Sequence, residues 1–309
     1  MTRVSDLAQS QLLISELNRA NSQLNITQLQ VSSGKKAQYF KDIADQAGVL
    51  LSAKRVLDQN ANFSETATEL AQKLDQQDLA LRQLGSAADD LRENATTAVA
   101  NGNGVAFMDS VDGVFQSALS ALNTKINGQY IFGGTRTDTS PVNITTLNAL
   151  GSAGTIAGIF DNNNIKASAA VDQGTQVIYG MTASDLGTAL MTTIQAIKQF
   201  SDSASGPLTG QLTPTQQSFL EGQLTNLQTI AAGINQLTAQ NGVTQNTVER
   251  ISNRLNQTTV ATQDFVSNIE DVDLPTALTQ LQQNQVAVQA AAHITAQLGQ
   301  LSLLNFLPL

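Results

Sequence analysis

Residues 274–309 read LPTALTQLQQNQVAVQAAAHITAQLGQLSLLNFLPL, with no Lys, Arg, Asp or Glu and with His293 as the one titratable side chain. Leu274, Leu281 and Val288 recur every seven residues, and Ala291, Ile294, Leu298 and Leu301 continue at alternating three- and four-residue spacing. That rhythm predicts an amphipathic helix with a coiled-coil-like stripe. Its opposite face is neutral amide, from Gln280 through Gln282, Gln283, Asn284, Gln285 and Gln289 to Gln297 and Gln300. Water-facing helices normally carry charge. A neutral amide face can be buried once hydrogen-bonded, whereas an unpaired charge costs far more. The stretch therefore reads as a helix made for a multi-subunit core. Glutamines interrupt every turn, so it lacks the roughly 20 apolar residues of a bilayer span, and no membrane insertion is expected.

The other end of the chain mirrors this one. Residues 5–32 carry Leu17, Leu24 and Val31 seven apart, with Leu13, Ile14 and Ala20 between them, and only Glu16 and Arg19 are charged between Leu7 and Ser33. Gly34 supplies a left-handed stop. Two neutral helices of matching length at the two ends predict an antiparallel pair.

Between them the pattern stays helical for most of the length. A basic, aromatic link, Lys35-Lys36-Ala37-Gln38-Tyr39-Phe40-Lys41, leads into a long helix over about 42–100, whose stripe runs Ala67, Leu70, Leu74, Gln77, Leu81, Leu84, Ala88, Leu91, Ala95, Ala98. The link reads equally as a docking patch or as a hinge capping that helix. Asn101-Gly102-Asn103-Gly104 ends it. A third helix is expected over about 106–127, closed by Asn127-Gly128. The texture then changes to Gly, Thr, Asn and Ser with short β-branched runs; Val142 to Thr145 and Thr175 to Tyr179 alternate as strands do. Helices return at about 184–202, from Thr213-Pro214 to about Gln240 with proline in the first turn, and, after a break at Asn241-Gly242, at about 244–272. Asp273-Leu274-Pro275 marks the last boundary.

The expected fold is mainly α: a long antiparallel helical bundle or coiled coil formed by both chain ends, with a small β-containing insert in the middle. The division is terminal helices 1–34 and 274–309, a long-helix bundle of 35–133 and 184–273, and an insert of 134–183.

Function classes narrow by elimination. The formal net charge is -9 with 16 Lys and Arg, so a nucleic-acid backbone has no basic face to bind. Aromatics make 4% of the chain and Trp is absent, which suits an aliphatic helical core; cysteine is absent, which removes disulfides and thiolate metal sites. No apolar run follows Met1-Thr2-Arg3-Val4-Ser5-Asp6, so no cleaved secretory signal is expected. His293 has no acid near it in sequence. Asp89, Asp90 and Glu93, and Glu270, Asp271 and Asp273, lack calcium-loop spacing and read as solvated faces; Asp161 to Asn164 reads as a turn. Gly133-Gly134-Thr135 and Gly151 to Gly154 lack the lysine of a phosphate loop. No catalytic, cofactor or metal site is expected.

Three stretches carry a resemblance. The first is Val31-Ser32-Ser33-Gly34-Lys35-Lys36 followed by Asp42-Ile43-Ala44-Asp45-Gln46-Ala47. The second is Gly128-Gln129-Tyr130-Ile131-Phe132-Gly133-Gly134-Thr135-Arg136-Thr137-Asp138. The third is the ending Leu298 to Leu307. Together and in this order they resemble the flagellin superfamily, and the middle one favours its hook-associated, hook–filament junction type over filament flagellin. Ala37-Gln38-Tyr39 stands where the family usually has Arg-Ile-Asn. The resemblance implies a non-enzymatic structural protein of the bacterial flagellum, extracellular and exported by the flagellar type III apparatus. Its partners would be copies of itself in a ring, hook-side and filament-side proteins, and an export chaperone on the C-terminal helix. The expected assembly interface is Leu13, Leu17, Leu24, Val31, Leu274, Leu281, Val288, Ile294, Leu298 and Leu301. The alternatives are a filament flagellin or, in another class, an adhesin-like coiled coil with the insert as its head.

Overall fold

The computed structural model describes the backbone of residues 2–304, and side chains from residue 11 to 297 together with Ala8. The described residues form seven α-helices and two two-stranded sheets. Helix α1 spans Thr2–Ser33, α2 Ala44–Asn101, α3 Phe107–Leu122, α4 Leu147–Ser152, α5 Ala183–Asp202, α6 Pro214–Glu270 and α7 Leu274–Leu304. Strands β1 (Lys125–Ile126) and β2 (Gln129–Tyr130) form one antiparallel hairpin, β3 (Ser168–Asp172) and β4 (Thr175–Ile178) the other. The mainly helical class with a small central β element is the one the sequence predicts.

The helix ends follow local chemistry. Gly34, at φ 71°, closes α1 with its N–H on the Gln30 carbonyl, 2.9 Å away. At the start of α6, Thr213 and Gln216 cap reciprocally: the Gln216 amide N–H reaches Thr213 Oγ1 and the Thr213 N–H reaches Gln216 Oε1. Pro214 sits just inside, where its missing N–H costs nothing.

Three expectations are corrected. Helix α3 stops at Leu122, because Asn127 and Gly128, at φ 51° and 82°, form the two-residue turn of the β1–β2 hairpin. Asn-Gly with both residues left-handed is the pairing such a turn favours. No strand forms over Val142–Thr145. The Val142 backbone instead exchanges hydrogen bonds with the Asn123 side chain and makes one isolated bridge to Phe160, and the Thr145 carbonyl takes Gln116 Nε2. Finally, Asn241-Gly242 does not break the chain, and α6 runs through it. Asn241 is buried and donates to the Leu74 carbonyl on α2 at 2.9 Å, an anchor that offsets the roughly 1 kcal/mol helix cost of the glycine.

The chain divides into two compact units, residues 60–256 and residues 1–59 with 257–309. The larger unit has a dense core. Leu81, Leu84 and Leu91 of α2 pack with Val111, Phe115 and Leu122 of α3, Leu190 and Ile194 of α5, and Leu220 and Leu227 of α6. Phe132, Val142, Leu150 and Ile159 of the central segment join the same cluster. A second cluster joins Ala67, Leu70 and Leu74 of α2 to Val248, Ile251 and Leu255 of α6, roofed by Val171 and Val177 of the β3–β4 hairpin. Asn162 and Asn163, expected only as a turn, are rivets. Asn162 exchanges hydrogen bonds with Ser184 at the start of α5, and Asn163 Oδ1 accepts the backbone N–H groups of Thr135 and Ile165.

Candidate assembly surface

The smaller unit is organised by α1 and α7, which pack along their length. The Val272 N–H donates to the Gly34 carbonyl at 2.9 Å, so the end of α1 meets the start of α7, and Thr27 accepts from Asn284 Nδ2 at 2.9 Å two turns further along. The pair is therefore antiparallel. Its contact stripe is Leu13, Leu17, Ala20, Leu24, Thr27 and Val31 on one helix, and Ala277, Leu281, Asn284, Val288, Ala291 and Thr295 on the other; only Thr27 and Ala277 are fully buried. Small and polar side chains thus occupy half the stripe. The Thr27–Asn284 bond fixes register at a cost in apolar contact.

Large apolar side chains remain on the outside of this unit. Leu12, Ile14, Ile26 and Leu29 of α1, Leu274, Leu278, Val286 and Ile294 of α7, Val49, Leu51 and Val56 of α2, and Val260 and Phe265 of α6 are all exposed, as are Tyr39 and Phe40. The larger unit, with more residues, exposes only Leu79, Val105, Ile165, Ile178 and Val243 of this kind among the described residues. Concentrated exposed apolar surface marks an interaction face. On α7 it lies on a helix without Lys, Arg, Asp or Glu, so a partner can cover it without desolvating such a charge.

At the foot of the helix pair the chain crosses itself. Lys35 bridges to Asp271 through the backbone, and the Lys36 N–H donates to the Glu270 carbonyl at 2.7 Å. Lys35 Nζ reaches Asp271 at 2.7 Å and Glu270 at 3.1 Å; Lys54 pairs with the other Glu270 oxygen, and Lys36 Nζ caps the Asn268 carbonyl. Three lysines thus gather at the C-terminal end of α6, where the helix dipole favours cations. Hydrogen bonds to Asp271 and then Glu270 raise the Lys35 pKa above its ordinary value. Burial pushes the Glu270 carboxyl up, but the hydrogen bonds from Lys54 and Lys35 prevail and its pKa falls; Lys35 and then Ser267 lower that of Asp271. Glu270, expected as part of a solvated face, keeps only 15% of its side chain exposed. Lys35 and Lys36 of the 35–41 link therefore cap α6, while Tyr39 and Phe40 are exposed and Lys41 lies over the Tyr39 ring, 5.2 Å from its centroid.

Residues 224–307 match the family model of the bacterial flagellin C-terminal helical region. No curated protein sequence matches the chain. Two solved structures share its fold. One is described as a flagellar hook-associated protein from Vibrio parahaemolyticus (TM-score 0.60, 16% identity, 74% of this chain and 100% of that chain covered). The other is FlgL from Bacillus cereus (TM-score 0.54, 17% identity, 71% and 99% covered).

Within the smaller unit the expected interface residues fall into three sets. Leu13, Leu17, Leu24, Val31, Leu281 and Val288 meet in the α1–α7 stripe, half-buried. Leu274 and Ile294 lie outside it, 46% and 47% exposed. The side chains of Leu298 and Leu301 lie outside the described residues. Leu274 stands three residues before Ala277, at the first residue of α7, and Ile294 stands one position beside the half-buried Thr295. His293 is exposed on α7. Among the described residues no cluster of three or more metal-ligating side chains occurs, and no helix is long and apolar enough to cross a membrane.

Proposed function

We propose that this protein is a structural, non-enzymatic component of the bacterial flagellum that links hook to filament at their junction. The observation that carries the reading is the unit formed by both chain ends. It includes much of the stretch that matches the flagellin C-terminal helical region, and most of the exposed large apolar side chains among the described residues lie there. The fold shared with a hook-associated protein and with FlgL supports the junction rather than the filament.

In this reading the terminal helices 1–34 and 274–309 form the assembly core, with the ten residues Leu13 to Leu301 named above at or beside the contacts. Segments 35–133 and 184–273 form the supporting bundle, and 134–183 is the insert. Copies close into a ring, with a hook-side protein at one end and a filament-side protein at the other. A chaperone covers the C-terminal helix before export without a cleaved signal, and the protein's working place is extracellular.

The flagellin C-terminal match keeps one second reading in play, a filament subunit. A filament subunit repeats one open-ended contact along the lattice, whereas a junction subunit faces different partners at its two ends. The purified protein, concentrated or seeded, is expected to stay monomeric or form short species under electron microscopy. Cells lacking it are expected to release flagellin unassembled. Long helical filaments grown from this chain alone would move it to the filament class.

A further inference from the structure

The two apolar clusters of the larger unit are separated at one level of the α2–α6 pair. On α2 the first ends at Ala80 and the second begins at Leu74; on α6 the limits are Ile234 and Val248. Gln77 and Asn241 occupy this gap, each 1% exposed. Asn241 Nδ2 donates to the Leu74 carbonyl, one turn from Gln77, which ties the two amides to the same level. Gln77 Oε1 and Asn241 Oδ1 are both buried and accept no hydrogen bond from any described group. Two buried acceptors without a donor are a costly arrangement unless something donates to them. Leucine at both positions would have continued the apolar stripe of either helix.

We propose that this level is a buried hydration site, in which bound water donates to Gln77 Oε1 and Asn241 Oδ1 and divides the core into two segments. Water is the ligand that fits: the site is neutral, it offers acceptors, and a buried water is held by two to four such polar partners. A hydrated layer between dry clusters is also the place where a long helix pair opens most readily, because local opening there exposes little apolar surface. The inference is independent of the flagellar reading.

A high-resolution crystal structure of the whole protein should show water within hydrogen-bonding distance of both oxygens. Side-chain reorientation that satisfies both oxygens from protein groups, with no water present, would overturn the site. Hydrogen exchange on the unaltered protein provides a second readout. Amides around Gln77 and Asn241 should exchange about tenfold faster than those at Leu84 and Leu227 or at Leu70 and Ile251 on either side; equal protection along both helices contradicts the proposal. In the variant carrying Gln77→Leu and Asn241→Leu together, that contrast should vanish and the melting temperature should exceed that of either single variant. A double variant less stable than both singles would show that the amides support the core directly.

Discussion

The larger unit encloses Phe115, Phe132 and a run of leucines from Leu70 to Leu190 with no solvent exposure to speak of, whereas the smaller unit fully buries only Thr27, Leu50, Ala53 and Ala277 among its described residues. Both are helical, and both use heptad-like stripes. They differ in what stands behind the stripe. In the larger unit α3, α5 and the central segment cover the long helices. In the smaller one α1 and α7 face each other through alanine, threonine and asparagine, and their flanks keep leucine and isoleucine in solvent. A two-helix stripe of that kind is marginal by itself. The contrast separates a part with a closed apolar core from a part that leaves large apolar side chains in solvent.

The sharpest way to break this contrast is to remove residues 274–309. Assembly into any higher-order species, read by sedimentation and electron microscopy, should be lost entirely. The helical melt should stay cooperative, because the core clusters lie within residues 67–255. Loss of the cooperative transition would show that α7 belongs to the fold and not to assembly alone.

Side-chain truncation should then grade the two units. Leu84→Ala, at a site with 0% exposure, should cost about 3 kcal/mol in chemical denaturation, as transfer and cavity terms add. Leu24→Ala, half-buried in the α1–α7 stripe, should cost about 1 kcal/mol and chiefly increase protease cleavage before residue 35. Equal costs would mean that the stripe is a true core.

How much of this was legible beforehand depends on the length scale of each signal. The long periodic segments were plain: α5 and the α6–α7 boundary at Asp273 fall within a residue or so of expectation. Dipeptide signals failed in both directions. Asn127-Gly128 made a hairpin turn where a helix stop was read, and Asn241-Gly242 stayed helical because a long-range bond to Leu74 outweighed local propensity. At the candidate surface, neutrality and the antiparallel pairing were readable from composition and spacing. The lysine clasp was not: Lys35 and Lys54 lie more than two hundred residues from Glu270, and no local pattern announces such a contact. The rivets at Asn162 and Asn163 were hidden for the same reason.

That clasp yields the smallest expected effect and the finest comparison. Glu270 and Asp271 have pKa values lowered in the folded protein. Their contribution is therefore present above the ordinary carboxylate range near 4 and is lost as pH falls through the folded values. Lys35 is raised, so its contribution is complete below its ordinary value of 10.5 and fades only as pH climbs past the higher folded one. Protection of α1 and α7 from protease should thus be level from about pH 5 to 10 and fall on the acid side. Lys35 and Lys54 are nearly half exposed, so solvent screening holds the effect of Glu270→Gln to about 1 kcal/mol, shrinking as salt is added. The larger unit should show none of this loss in the same variant, because its cores contain no part of the clasp. If Glu270→Gln lowers the stability of both units alike, the clasp supports the whole chain; if it loosens only the terminal helices, it serves as their tether.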